Sequence, residues 1–216
     1  MTYSLTSQPY LLPTPAGAYN ATSVPAETRL QRCITTLLGY AETPLATEDD
    51  IVRWTNIDNA QEALEFIWRM QQMGWLQALE QPRHAPQGDI EEIFARLIPT
   101  LTRGGKALIS DMQGFYLCSQ GFSHEVAEEL SALSADLASL HMRRSGSLNR
   151  NLGLGGSSWG LIDSAGQSKL GFWPIFAGEQ RFVLVIAGTP TFNRQELVDL
   201  IWVLYQRYNL PNRLSK

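Results

Sequence analysis

Residues 106 to 140 read KALISDMQGFYLCSQGFSHEVAEELSALSADLASL, and this stretch decides the fold. Lys106 to Asp111 and Gly114 to Ser119 are short apolar, β-prone runs joined through Met112 and Gln113, so the spacing predicts a hairpin. From Phe122 to Leu140 the apolar period switches to that of a helix, with Val126, Leu130, Leu133, Leu137 and Leu140 on one stripe. That stripe is wide enough to cover a sheet face, at roughly 1.5 to 3 kcal/mol per fully buried side chain. Beside it Ala127, Ser131, Ala135 and Ala138 form a line of small residues, and small side chains let another element approach closely. Nothing in the segment is placed for bond-making chemistry.

Upstream of the hairpin, Asp89 to about Thr102 predicts a helix through Ile90, Ile93, Phe94, Leu97 and Leu101. Downstream, Ser145 to Ser157 is rich in Gly, Ser and Asn and reads as a loop. Strands are expected at Ser158 to Asp163, Lys169 to Phe176 and Arg181 to Ala187, and a last helix from Asn193 to Tyr208. The order is α-β-β-α-β-β-β-α. In the last helix Leu197, Leu200, Ile201, Leu204 and Tyr208 form one stripe, and Val198, Trp202 and Tyr205 widen it to about half the circumference. One sheet face does not cover that much, so either the N-terminal region or a partner chain packs there.

Residues 1 to 25 carry Pro9, Pro13, Pro15 and Pro25 without a helical or strand period, and are read as a mobile tail. Residues 26 to 80 read as a separate small domain. A helix near Glu27 to Tyr40 presents Leu30, Cys33, Ile34, Leu37 and Leu38; Thr47 with Glu48, Asp49 and Asp50 opens a short helix; Asp58 caps a third, ended by Gly74; and Trp75 to Leu79 is a strand. Residues 81 to 88, interrupted by Pro82 and Pro86, form a linker, and residues 89 to 210 form the second domain.

The 216 residues allow two small domains, and 44% hydrophobic content is that of a globular chain. Charged residues make up only 18%, which leaves surface for a partner. The net charge of −4, from 17 basic and 21 acidic side chains, argues against a general nucleic-acid binder. Cys33 and Cys118 are far apart and read as two small hydrophobes, with no disulfide framework or thiolate metal site. Neither a signal peptide nor a membrane span is apparent, so a cytoplasmic protein is expected. His84, His124 and His141 fall in no catalytic or metal-binding spacing, and Gly104-Gly105-Lys106 precedes a strand where a phosphate loop would follow one. The glycine-rich Asn151 to Ser158 stretch also leads into a strand. No catalytic residue, metal ligand or cofactor is expected.

The segment TPLATEDDIVRWTNIDNAQEALEFIWRMQQMGWL, residues 43 to 76, resembles a winged helix in the spacing of its second and third helices and in the Gly-Trp that starts the wing. Its charge is wrong for DNA. Residues 26 to 80 hold four basic side chains, Arg29, Arg32, Arg53 and Arg69, against nine acidic ones, and the third helix has Asp58, Glu62 and Glu65 against Arg69 alone. On the face opposite its buried stripe lie Glu62, Phe66, Arg69 and Met73, which suit a protein contact.

The stretch GGKALISDMQGFYLCSQGFSHEVAEELSALSADLASLH, residues 104 to 141, and the closing RFVLVIAGTPTFNRQELVDLIWVLYQRY, residues 181 to 208, resemble the roadblock/LC7 family, which includes bacterial regulators of Ras-like small GTPases. The resemblance implies an α+β domain with a five-stranded antiparallel sheet and helices on both faces, behind the small winged-helix-like domain. It also implies a two-fold homodimer in which the line Ala127, Ser131, Ala135 and Ala138 meets its copy, although such a flank is equally compatible with solvent. The function implied is non-enzymatic: binding a Ras-like GTPase and modulating its hydrolysis without donating an arginine finger. A winged-helix transcriptional regulator with a ligand-sensing second domain is the alternative.

Overall fold

The computed structural model describes residues 3–5, 9–25, 28–153 and 155–209. Parts of four expectations fall outside these: Met1, Thr2, Thr6, Ser7 and Gln8 in the expected tail, Ala26 and Glu27 at the start of the first domain, Leu154 in the glycine stretch, and Leu210 at the end of the second. In chain order the elements are β1 (Tyr10–Pro13), α1 (Pro15–Thr22), α2 (Arg29–Leu38), α3 (Glu48–Thr55), α4 (Ala60–Gln72), β2 (Leu76–Leu79), α5 (Ile90–Leu97), a 3-10 turn (Ile98–Leu101), β3 (Lys106–Ser110), β4 (Tyr116–Gln120), α6 (His124–Leu152), β5 (Trp159–Ile162), β6 (Ser168–Ala177), β7 (Gln180–Ala187) and α7 (Gln195–Tyr208). They form two compact units, residues 88–192 and the remainder, so α7 groups with the N-terminal elements and not with the sheet domain where the sequence placed it.

The sheet unit has the expected α+β architecture. Its five strands are all antiparallel in the order β4-β3-β7-β6-β5. The central strands β3 and β7 are buried on both faces, through Leu108, Val183 and Val185 on one side and Ala107, Ile109, Leu184 and Ile186 on the other. The first set clusters with Ala127 and Ala138 of α6 and with Phe172. Asp89 caps α5 by accepting from the Glu91 N–H, and Pro99, with no N–H to give, tightens the end of this helix into the 3-10 turn. The β3–β4 turn is held by Asp111, whose carboxylate accepts from the Gln113 and Phe115 N–H groups. Gly114 takes a φ of +90°, and a Cβ there would lie 3.3 Å from the Ala132 Cα, so glycine lets the turn lie against α6.

The N-terminal unit corrects the reading of a mobile tail at residues 10 to 22, which form β1 and α1. Tyr10 to Pro13 pairs antiparallel with Leu76 to Leu79, and its other edge meets Pro44 to Ala46 through a Tyr10–Leu45 bridge. Leu11 and Leu12 are both buried, because this short strand is covered on both faces. Thr14 then caps α1 with Pro15 at its first position, where a missing N–H costs nothing. Gly17 packs so closely that a Cβ would stand 2.0 Å from the Trp75 carbonyl oxygen. The prolines punctuate structure here; they do not mark its absence.

Two further differences concern the same unit. β2 takes its partner from the N-terminus and not from a following strand, so the Gly74-Trp75 pair does not open a wing hairpin. The expected linker is also engaged: Glu42 bridges His84, and the Thr43 and Ala85 N–H groups bond to the Arg83 and Ala41 carbonyls. α2 carries a reciprocal Thr28–Gln31 capping box, and Asn59, not Asp58, caps α4. α7 packs with α1 and α2. The Trp202 Nε1–H donates to the Tyr40 carbonyl at 2.8 Å, Gln206 donates to the Leu38 and Tyr40 carbonyls, and both Asp199 carboxylate oxygens accept from the Arg83 Nη2, at 2.8 and 3.0 Å. The N-terminal region is thus one answer to what covers the wide apolar front of α7.

Candidate functional site

Two helix faces, one in each unit, remain available for contact. The first belongs to α6. It begins at Ser123, whose hydroxyl caps the helix by accepting from the Val126 N–H, and it runs to Leu152, where Gly153 ends it in the left-handed conformation. At 29 residues it is about 43 Å long. The sequence placed its end near Met142 and a loop from 145, but no proline interrupts this stretch and the Ser, Gly and Asn residues continue the helix.

The orientation of α6 reverses the expected one. Ala127, Ser131 and Ala138, assigned to a dimer contact, are 1%, 0% and 5% exposed and face the sheet, while Ala135 beside them is half-buried. Small residues let this helix sit close on its own sheet. The serine hydroxyls in that tight contact are satisfied: Ser131 donates to the Ala127 carbonyl, Ser134 to the Ser131 carbonyl, and the Ser110 and Ser134 hydroxyls share a 2.7 Å hydrogen bond from strand to helix. The stripe expected to cover the sheet points largely outward. Val126, Leu133 and Leu140 are 40%, 39% and 37% exposed, while Leu130 and Leu137 are half-buried and pack against the sheet core as expected.

These five positions step by four, three, four and three residues, the spacing of a heptad seam. One flank of the seam is taken by the sheet. Along the other run Glu129, Asp136, Arg143 and Arg150, all exposed or half-buried, acidic toward the helix start and basic toward its end. At the very start the Glu125 carboxyl is held below its usual range by its own backbone N–H and by the Ser123 hydroxyl. His141 packs edge-on to Trp159 at 6.1 Å, and burial lowers its pKa.

The second face belongs to α4. Phe66, Arg69 and Met73 line a shallow cavity of about 420 Å³ with Met70 and Gln72, so three of the four residues chosen from sequence come together. Glu62 is exposed and does not line it. Arg69 is ion-paired with Glu65 one turn earlier on the same helix. Met73 is 52% exposed, a large apolar side chain left toward solvent.

Among the described residues no cluster of three or more His, Cys, Asp or Glu side chains is arranged to hold a metal ion, and no helix is long and apolar enough to cross a membrane. The Cys33 thiol is buried and its pKa is pushed up to about 12. Burial, and then the nearby Glu91 carboxylate, also raise that of Cys118. The sequence reading missed the outward seam because it assigned the largest apolar side chains to the sheet by default; the heptad spacing and the flanking charges were its signal.

No family model matches the chain, and no curated protein matches it. Similar solved structures include the Roadblock/LC7 domain from Streptomyces avermitilis, at 15% identity and a TM-score of 0.38, covering 54% of this chain and 95% of that one. The gliding protein MglB from Thermus thermophilus is 20% identical with a TM-score of 0.37, covering 54% of this chain and 92% of that one. Myxococcus xanthus MglB is 18% identical with a TM-score of 0.32, covering 55% of this chain and 92% of that one.

Proposed function

We propose that the chain is a non-enzymatic regulator of the roadblock/LC7 type that homodimerises through the outward face of α6 and binds a Ras-like small GTPase, modulating its GTP hydrolysis. The observation that carries the dimer is the outward line Val126, Leu133 and Leu140, left exposed beside the half-buried Leu130 and Leu137. Its occupant is a second copy in antiparallel orientation. In an antiparallel pair the free flanks of the two copies, Glu129 to Arg150, lie along each other with the sheets on the opposite side, whereas in a parallel pair the free flank of each copy meets the sheet side of the other. An isologous contact of this kind closes on itself as a two-fold dimer.

The GTPase reading rests on the sequence resemblance of residues 104 to 141 and 181 to 208, together with the five-stranded antiparallel sheet of the unit that contains α6. The Phe66, Arg69 and Met73 face of α4 serves as a second contact surface in the N-terminal helical unit. DNA is a poor partner for that helix, because Arg69 is held by Glu65 and the wing hairpin is replaced by the β1–β2 pair. The test is binding and single-turnover hydrolysis with the Ras-like GTPases of the source organism, each loaded with GDP or with a GTP analogue. Binding that differs between the two nucleotide states is expected. No binding to either state, or tight salt-sensitive binding to duplex DNA, would replace this reading with that of a transcriptional regulator.

A further inference from the structure

On the side of α4 away from Phe66, the segment Tyr3 to Leu5 lies along the helix in an arrangement that has the form of peptide recognition. The Tyr3 N–H donates to the Gln61 Oε1 at 2.8 Å, and the Gln61 Nε2 donates back to the Tyr3 carbonyl at 2.9 Å. One side-chain amide thus satisfies both backbone groups of one residue, as a neighbouring strand would, and it reads no side chain. The Tyr3 ring meets Trp68 at 5.5 Å in a tilted contact. The segment also lines a cavity of about 240 Å³, together with Leu11, Ile51, Leu64, Ile67 and Trp68. Among the described residues, no charged side chain lines this cavity.

The segment fills the site incompletely. An apolar cavity of about 150 Å³ is enough to hold a benzene, so the space here exceeds what one more aromatic side chain needs. Trp68 also stays 44% exposed with Tyr3 in place. A groove that supplies a two-way amide for backbone, an aromatic platform and an uncharged hollow beyond selects an extended segment with an aromatic residue and, two positions on, a large apolar one.

We propose that this groove of α4 is a docking site for an extended, uncharged peptide segment of a partner protein carrying an aromatic-x-apolar sequence, and that Tyr3-Ser4-Leu5 occupies it in cis. A tethered occupant competes at an effective concentration in the millimolar range, so the partner segment must displace it. The site opens in proportion to how far the partner segment outdoes Tyr3 and Leu5.

The test uses the full chain and a fluorescent peptide of residues 1 to 8, followed by anisotropy. The double variant Tyr3→Ala/Leu5→Ala, which takes both side chains out of the groove and leaves only the backbone contact to Gln61, is expected to bind the peptide at least about tenfold more tightly than the wild-type chain. A peptide with Leu5→Phe is expected to bind more tightly still. Adding Gln61→Ala or Trp68→Ala to the double variant is expected to abolish binding; Trp68 is partly exposed, so both triple variants should keep the wild-type circular dichroism spectrum. The proposal is overturned if the double variant shows no saturation, if wild type and double variant bind alike, if Trp68→Ala leaves binding unchanged, or if a small apolar molecule alters Trp68 emission where the peptide does not.

Discussion

Replacing Leu133 by Arg puts a charge at the middle of the proposed α6 contact while sparing the fold. Val126, Leu133 and Leu140 each keep about 40% of their surface open. At about 1.5 to 3 kcal/mol for full burial, each has about 0.6 to 1.2 kcal/mol still to gain, so three residues from each of two copies offer about 4 to 7 kcal/mol. Leu133→Arg removes the central pair of these gains and sets two like charges close together in an apolar contact. The combined loss is about 3 kcal/mol or more, at least a hundredfold in the dimer Kd. Those gains alone correspond to a dimer Kd of about 10 μM to 1 mM, so sedimentation velocity near millimolar chain concentration measures the loss directly: the wild-type chain sediments as a dimer and Leu133→Arg as a monomer with an unchanged circular dichroism spectrum. A variant that sediments like the wild type would refute the reasoning, because the seam would then not be the contact.

The remaining expectations concern the fold beneath the two faces. Gly17→Ala drives a methyl group into the Trp75 carbonyl, a backbone atom that cannot step aside, and should lower stability in urea by about 1 to 3 kcal/mol; no change would mean that residues 10 to 22 are not packed as described. Ser134→Ala leaves the buried Ser110 hydroxyl without its 2.7 Å partner and should cost about 1 to 2 kcal/mol in the same assay. Cys33 should resist a thiol reagent at pH 8 until the chain is unfolded. Because its folded pKa is raised to about 12 from an ordinary 9, the stability linked to it is fully present below pH 9 and is lost as pH rises toward 12, which a pH series of urea midpoints will read.

Hydropathy period alone carried the order of elements in the sheet unit. The hairpin at 106 to 119 and the three later strands all pair antiparallel as expected, since turn residues separate runs with no helical repeat. What periodicity did not carry was which face of α6 goes inward. A sheet packed closely against a helix favours Ala and Ser, and a leucine stripe is equally at home against a second helix, so the two lines of residues exchange roles without any change in the pattern. The N-terminal segment was obscured differently. Four prolines suggested disorder, but Thr14-Pro15 is a helix start and Leu11-Leu12 a strand buried on both sides, a reading that needs β2 and residues 44 to 46 as partners far along the chain. α7 shows the converse case. Its wide apolar front announced a second partner, and Trp202, Gln206 and Asp199 find it in α2, the residues just after it and Arg83. The Phe66, Arg69 and Met73 cluster was legible because three and four residue steps on one helix guarantee adjacency.

The antiparallel α6 pair can be measured by spin-label distances. Labels at Glu128→Cys and Asn149→Cys stand on exposed positions; the native Cys33 thiol is buried and held protonated, and Cys118→Ser removes the other native thiol. With the two-fold axis near Leu133 and a rise of 1.5 Å per residue, the account predicts about 20 Å between labels at position 128 and about 50 Å at position 149. Short distances at both positions would show a parallel pair, and no dipolar coupling at either would show that α6 does not meet a second copy at all.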